Sequence, residues 1–217
     1  MKKIFILLIL NTFLFSKYLQ YTPSDDFAKY FNNFNCSLVM NKFYYYNCYD
    51  YNFKGTKATA YMVTRENLKA KQIKNRPRFE DDTTIAKKYR TTWSDYLDSG
   101  YDRGHSVANG SMRASVAAQR STFLMSNITP QNRQINQKVW NSIEQRERDL
   151  AYKYYQAEIL NLILYDKNPK RIKNNIAIPS AYIKIIKTKF HKECYKVPNH
   201  DVKSEDIRDY KISCDSF

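Results

Sequence analysis

The sequence predicts a single α+β domain: an antiparallel sheet with helices packed against it. Three observations carry that expectation. Residues 38–63 are dense in Tyr and Phe around one Lys54-Gly55-Thr56 turn signal, which is the composition of a β-hairpin. Residues 135–154 repeat apolar side chains at helical intervals, through Ile135, Val139, Trp140, Ile143, Leu150 and Ala151. Two short apolar runs follow, 158–165 and 176–179, and they read as buried strands. The total is a mixed α+β domain with an antiparallel sheet.

Taken in order, the first element is an address. Lys2 and Lys3 precede an apolar run from Ile4 to Phe15, and Ser16 follows as a small residue at a cleavage point. That is the layout of an export signal over 1–16, leaving one domain over 17–217. The run is short of the ~20 apolar residues that a spanning helix needs. The hairpin comes next, with Tyr44-Tyr45-Tyr46 on its first limb and Thr59–Thr64 as its second strand. Residues 69–99 are polar, and read as a long surface loop holding Arg76-Pro77-Arg78-Phe79 and the acidic Glu80-Asp81-Asp82. Residues 113–126 have helical spacing through Ala114, Ala117, Ala118 and Leu124, and Pro130 is expected to break the chain. Residues 181–186 suit either a strand or a short helix.

With 217 residues and 43% hydrophobic content, the chain can bury a core. It holds only 4 glycines, which excludes Gly-rich phosphate loops and dinucleotide fingerprints outside one short stretch. Lys and Arg total 36 against 21 Asp and Glu, a net charge of +15. Such an excess favours polyanionic partners, because each cation that meets a phosphate releases condensed counterions. The four cysteines, Cys36, Cys48, Cys194 and Cys214, read as disulfides behind an export signal. Of the three pairings, the local one (36 with 48, 194 with 214) is expected, since it staples each end of the chain. A zinc site from His191, Cys194, His200 and Cys214 is the competing use of these residues, although their spacing fits no familiar finger.

Histidine is rare, and His105 stands out by its company in Asp102-Arg103-Gly104-His105. A neutral imidazole takes a proton from water at neutral pH. A neighbouring arginine clamps phosphate, and Gly104 offers a close backbone approach to a bulky ligand. Further along, Asn136, Gln137, Trp140 and Glu144 sit at offsets of one and two helical turns, so that Asn136 and Glu144 share a broad face. Both are hard oxygen donors of the kind Mg²⁺ accepts.

These blocks resemble the DNA/RNA non-specific endonuclease family of the ββα-metal (His-Me finger) nucleases. The matching stretches are Ser99-Gly100-Tyr101-Asp102-Arg103-Gly104-His105, then Met125-Ser126-Asn127-Ile128-Thr129-Pro130-Gln131, then Asn136-Gln137 with Trp140 and Glu144. The resemblance implies that His105 is the general base and that Asn136 is the one direct protein ligand of Mg²⁺, with Mn²⁺ as the alternative ion. It implies that Glu144 orients metal-bound water. Arg103 and Arg78 would contact phosphate or the transition state, and Asn127 and Gln131 would organise the substrate site. Ser106-Val107-Ala108 departs from the apolar residue and Ala-Pro that usually follow the histidine. The implied reaction is cleavage of DNA and RNA to 5′-phosphate products without sequence preference, since contacts to phosphates carry no base information. No small-molecule cofactor is implied. The expected location is the periplasm or the exterior. Free and peripherally membrane-associated forms, and the oligomeric state, are left open. The competing reading is a catalytically weak nucleic-acid-binding or DNA-uptake protein on the same fold, supported by the basic charge and the aromatic sheet.

Overall fold

The computed structural model describes residues 18–215 and 217. The export segment 1–16 lies outside the described residues. Seven strands form one antiparallel sheet in the order β1-β2-β3-β6-β7-β8-β9. They are β1 (Leu38–Asn41), β2 (Tyr45–Asp50), β3 (Gly55–Thr64), β6 (Gln156–Leu164), β7 (Ala181–Lys187), β8 (Lys192–Pro198) and β9 (Lys211–Ile212). A separate two-stranded ribbon pairs β4 (Asp102–His105) with β5 (Ile128–Gln131). The longest helix, α4 (Asn141–Lys153), packs on the large sheet; α1 (Asp25–Ala28), α2 (Arg65–Lys69) and α3 (Val116–Ser121) are short.

The core follows the strand period of two. On one face Tyr61, Val63, Ile159, Ile163, Tyr182 and Ile186 pack with Ile143, Leu150 and Ala151 of α4. On the other, Ala58, Ala60, Leu160, Ile183 and Ile185 pack with Phe27 and Tyr21 from the N-terminal segment. Both disulfides, Cys36–Cys48 and Cys194–Cys214, have the expected local pairing. They bear on this second face. Because Cys194 and Cys214 are bonded to each other, they are not ligands of a zinc ion.

Several sequence expectations need correction. Residues 69–99 are not a bare surface loop. Ile85 and Tyr96 are buried, and two 3₁₀ turns occupy Lys87–Tyr89 and Trp93–Tyr96. Asp82 anchors the stretch through Lys42 (2.6 Å) and Ser126 (2.5 Å). Burial alone would raise its carboxyl pKa, but these bonds and Thr84 hold it below the usual value. Pro130 does not break the chain; it sits in β5 opposite Arg103. A two-stranded ribbon leaves each strand one unpaired edge, where a missing N–H costs nothing. The helix expected over 113–126 is confined to α3, and residues 176–179 make one isolated bridge, Arg171 to Ala177, instead of a strand. Residues 181–186 are strand, where they continue the sheet beside β6.

Candidate active site

β4 presents alternate side chains to opposite sides. Arg103 and His105 point the same way, and both meet Phe79. The Arg103 guanidinium lies 5.1 Å from the ring centre and the His105 ring 5.7 Å from it. Phe123 closes on His105 edge-on at 4.8 Å. This aromatic cradle half-buries the imidazole, and its Nε2 is buried with no hydrogen-bond partner among the described residues. Burial, helped by the charge of Arg76, pushes the His105 pKa down to about 3. Burial thus favours the neutral ring, with Nε2 unpartnered among the described residues.

Asp102 and Gly104 point the other way. Gly104 does not face a ligand as the sequence suggested: a Cβ there would lie 2.3 Å from Oε1 of Gln131, so glycine is required by Gln131 itself. Asp102 Oδ2 accepts hydrogen bonds from Asn136 Nδ2 (3.0 Å) and Gln137 Nε2 (2.9 Å). That contact ties Asn136 to the strand carrying His105. It also fixes the amide, since a donating Nδ2 leaves Oδ1 as the acceptor. Asn136 lies in a π-helical stretch, Ile135–Trp140, that runs into α4. The i→i+5 bonding there shifts the register, so the α-helical offset expected between Asn136 and Glu144 does not apply across it.

Glu144 lies in the first turn of α4. Burial raises its carboxyl pKa to about 7, with the charge of Glu147 acting the same way and Lys184 and Arg148 opposing. Beneath it is a fully buried ion pair, Lys184 Nζ to Glu147 Oε2 at 2.6 Å. Tyr61 and Ser111 also donate hydroxyls to Glu147, at 2.9 Å and 2.6 Å. The pair thus joins β3, β7 and α4 to the loop that follows His105.

That loop is clamped elsewhere as well. Asn127 is fully buried; its Oδ1 accepts from Val107 N (2.9 Å), and its Nδ2 donates to Thr122 O (2.9 Å) and Val107 O (3.2 Å). With its amide spent on backbone, Asn127 shapes the loop that follows His105. Ser106, where the sequence departs from the family pattern, shares a hydrogen bond with Thr59 (2.8 Å), and its carbonyl accepts from Asn161 (2.7 Å). The hydroxyl is thus explained by a buried polar contact to the sheet. Gln131 is also buried, with neither amide atom partnered among the described residues.

Arg78 is exposed, and Arg76 is the arginine whose charge bears on His105. The Arg76 guanidinium lies 5.4 Å from the Phe123 ring centre. Sequence reasoning missed Phe79, Phe123, Arg76 and Arg148. Arg148 follows Glu144 by one helical turn and its buried Nη1 has no partner among the described residues. A Cβ on Gly110 would come within 2.8 Å of that Nη1. The i+4 spacing from Glu144, together with a glycine in a glycine-poor chain, was the available signal.

The metal question turns on donor chemistry. Among the described residues no group of three or more His, Cys, Asp or Glu could hold an ion. The Asn136 amide oxygen, with the Glu144 carboxylate further along the same helical run, offers hard oxygen donors of the kind that suit a cation keeping most of its water shell. It does not fit zinc, which takes nitrogen and sulfur donors.

Comparison with known proteins gives the family. The pattern of the DNA/RNA non-specific endonuclease family matches residues 23–217. Mitochondrial endonuclease G of Caenorhabditis elegans is 33% identical over 170 residues, covering 70% of this chain and 55% of that protein. The human endonuclease G is 30% identical over 150 residues, 64% of this chain and 50% of that protein. The mitochondrial nuclease of Saccharomyces cerevisiae is 28% identical over 163 residues, 68% of this chain and 50% of that protein. The chain thus spans about half the length of the curated relatives it matches. A crystal structure of an EndoG/EndoGI complex superposes with a TM-score of 0.74 at 27% identity, covering 82% of this chain and 81% of that one. From residue 23 to its last residue, the chain belongs to the DNA/RNA non-specific endonuclease family.

Proposed function

We propose that this protein is an exported nuclease that hydrolyses phosphodiester bonds of DNA and RNA, using a divalent metal and His105 as general base. The observation that carries the reading is His105 itself: a neutral imidazole with an unengaged, buried Nε2, beside a strand-mate arginine. His105 accepts the proton of the attacking water. Arg103 and Arg148 offer guanidinium groups to phosphate oxygens, and Arg76 and Arg78 add positive potential at the rim. Asn136 Oδ1 would hold the ion, Mg²⁺ or alternatively Mn²⁺, and Glu144 would orient water bound to it. When bound, the ion supplies Lewis acidity at the scissile phosphate and the leaving oxygen. Gln131 supports β4 beneath the site by packing on Gly104. Export is supported by the Lys2-Lys3 address and by the two disulfides, which suit an oxidising compartment. No helix among the described residues is long and apolar enough to cross a membrane.

The test is incubation of purified protein with plasmid, single strands and RNA, with and without EDTA. Chelator-sensitive internal cleavage of all three is the expected result. Tight binding without cleavage under any metal would favour the binding or uptake reading instead.

A further inference from the structure

At the far end of α4 from Glu144 is an exposed cluster that the chemistry above does not use. Arg65, the first residue of α2, donates its Nη2 to Lys153 O at 2.8 Å, and its Nε to Tyr152 O at 2.5 Å. It therefore caps the last carbonyls of α4. The same guanidinium lies 3.7 Å from the ring centre of Tyr155 and 5.4 Å from that of Tyr152. The Lys69 ammonium lies 5.7 Å from the ring centre of Tyr152. The two tyrosines are 50% and 64% exposed, so one cation fixes two aromatic rings that still show faces to solvent.

Tyr155 carries a second, independent sign. It occupies the position just past the C-cap of α4 with φ of 72°. That left-handed position is ordinarily filled by Gly or Asn, because a bulky side chain is strained there. Here a tyrosine takes it while most of the residue stays exposed, so core packing does not account for the choice. Strain held at an exposed residue points to function.

We propose that Tyr152 and Tyr155, braced by Arg65, form a stacking platform for bases of a single-stranded nucleic acid whose backbone is held by Lys69 and Lys153. The proposal rests on the nuclease reading and extends it to the substrate's flank. The chemistry fits: every base has a π-face, stacking on aromatic rings tolerates any sequence, and the surrounding cations track phosphates. The placement fits as well. Glu144, Arg148 and Tyr152 follow at i, i+4 and i+8 on one face of α4. Tyr152 is therefore ~12 Å along the axis from Glu144 at about 1.5 Å per residue. That spans roughly three to four nucleotides of a stacked strand at about 3.4 Å each. A strand cut at the site would thus reach the platform only if it extends several nucleotides to that side.

The experiment uses the purified, disulfide-bonded protein and the variants Tyr152→Ala, Tyr155→Ala, Tyr155→Asn and Tyr155→Trp. Binding of a single strand of about twelve nucleotides is measured in EDTA, where nothing is cleaved. Hydrolysis of bis(p-nitrophenyl) phosphate, too small to reach the platform, is measured with Mg²⁺. The alanine variants should bind the strand about tenfold more weakly per lost stack, and Tyr155→Trp should restore binding. Rates on the small diester should be unchanged. Tyr155→Asn is the folding control, because asparagine relieves the backbone strain: its melting temperature should match or exceed wild type while strand binding falls. Unchanged strand affinity in the alanine variants would overturn the platform. So would loss of sedimentation with phosphatidylserine vesicles while strand binding persists, which would make the patch a membrane contact. If the wild type cleaves neither the small diester nor the strand once Mg²⁺ is supplied, the nuclease reading fails while the EDTA binding data still decide the platform.

Discussion

Removing Lys184 tests the buried ion pair beneath the site. Lys184 is fully buried, its ammonium is bonded to Glu147 at 2.6 Å, and it lies 4.9 Å from the Trp140 ring centre. Lys184→Met keeps the apolar stem and leaves Glu147 as a buried carboxylate with only the hydroxyls of Tyr61 and Ser111 around it. Breaking a buried pair in this way typically costs ~3–5 kcal/mol. For a domain of this size each kcal/mol shifts the melting temperature by about 2–4 °C, so a fall of roughly 6–20 °C is expected. Scanning fluorimetry, with guanidinium denaturation for the free energy, makes the measurement. The double variant Lys184→Met/Glu147→Leu should recover most of the loss, because it removes both charges together. A single variant within about 1 kcal/mol of wild type would refute the reasoning, as would a double variant less stable than the single.

Three further outcomes follow from the site. His105→Ala should lower cleavage ~10²–10⁴-fold and leave strand binding in EDTA nearly intact; near wild-type turnover would remove His105 as the base. Asn136→Ala should move the Mg²⁺ titration to higher concentration, with partial rescue at excess ion, and an unchanged titration curve would show that Asn136 holds no ion. The pH profile should not follow an ordinary imidazole. His105 is neutral down to about pH 3, so between there and 6.5 its burial makes the fold less stable as pH falls, because the unfolded chain binds the proton and the folded one does not. Glu144, by contrast, ionises as pH rises through about 7, so activity should climb across that window. In Glu144→Gln the climb should vanish; its persistence would assign it to another group.

How much of this was legible beforehand differs from element to element. The Asp102–His105 run, Asn136 and Glu144 could be picked out because scarce residue types recur in a family's order and spacing. The aromatic hairpin and the helix over 135–154 were visible because burying one face imposes a period on the sequence. The local disulfide pairing was expected because it staples each end of the chain, and the structure has it. Other features leave no local signal. Residues 69–99 look like solvent-exposed loop because they are polar, yet Asp82 is held by Lys42 from β1's end and Ser126 from before β5, partners far away in sequence. Phe79 and Phe123 became the walls around His105 only when three distant segments met. The same meeting depresses the imidazole pKa, a consequence of desolvation that no count of neighbours along the chain can supply. The motif marked Asn127 as a residue that organises the site, and only three-dimensional packing shows its amide spent on the loop backbone. By itself the sequence marked candidate residues for the chemistry and most of the elements that carry them, because residue type and periodicity are written along the chain. Tertiary structure alone decided what each of those residues feels, because burial, charge and hydrogen-bond partners are set by whatever the fold brings alongside.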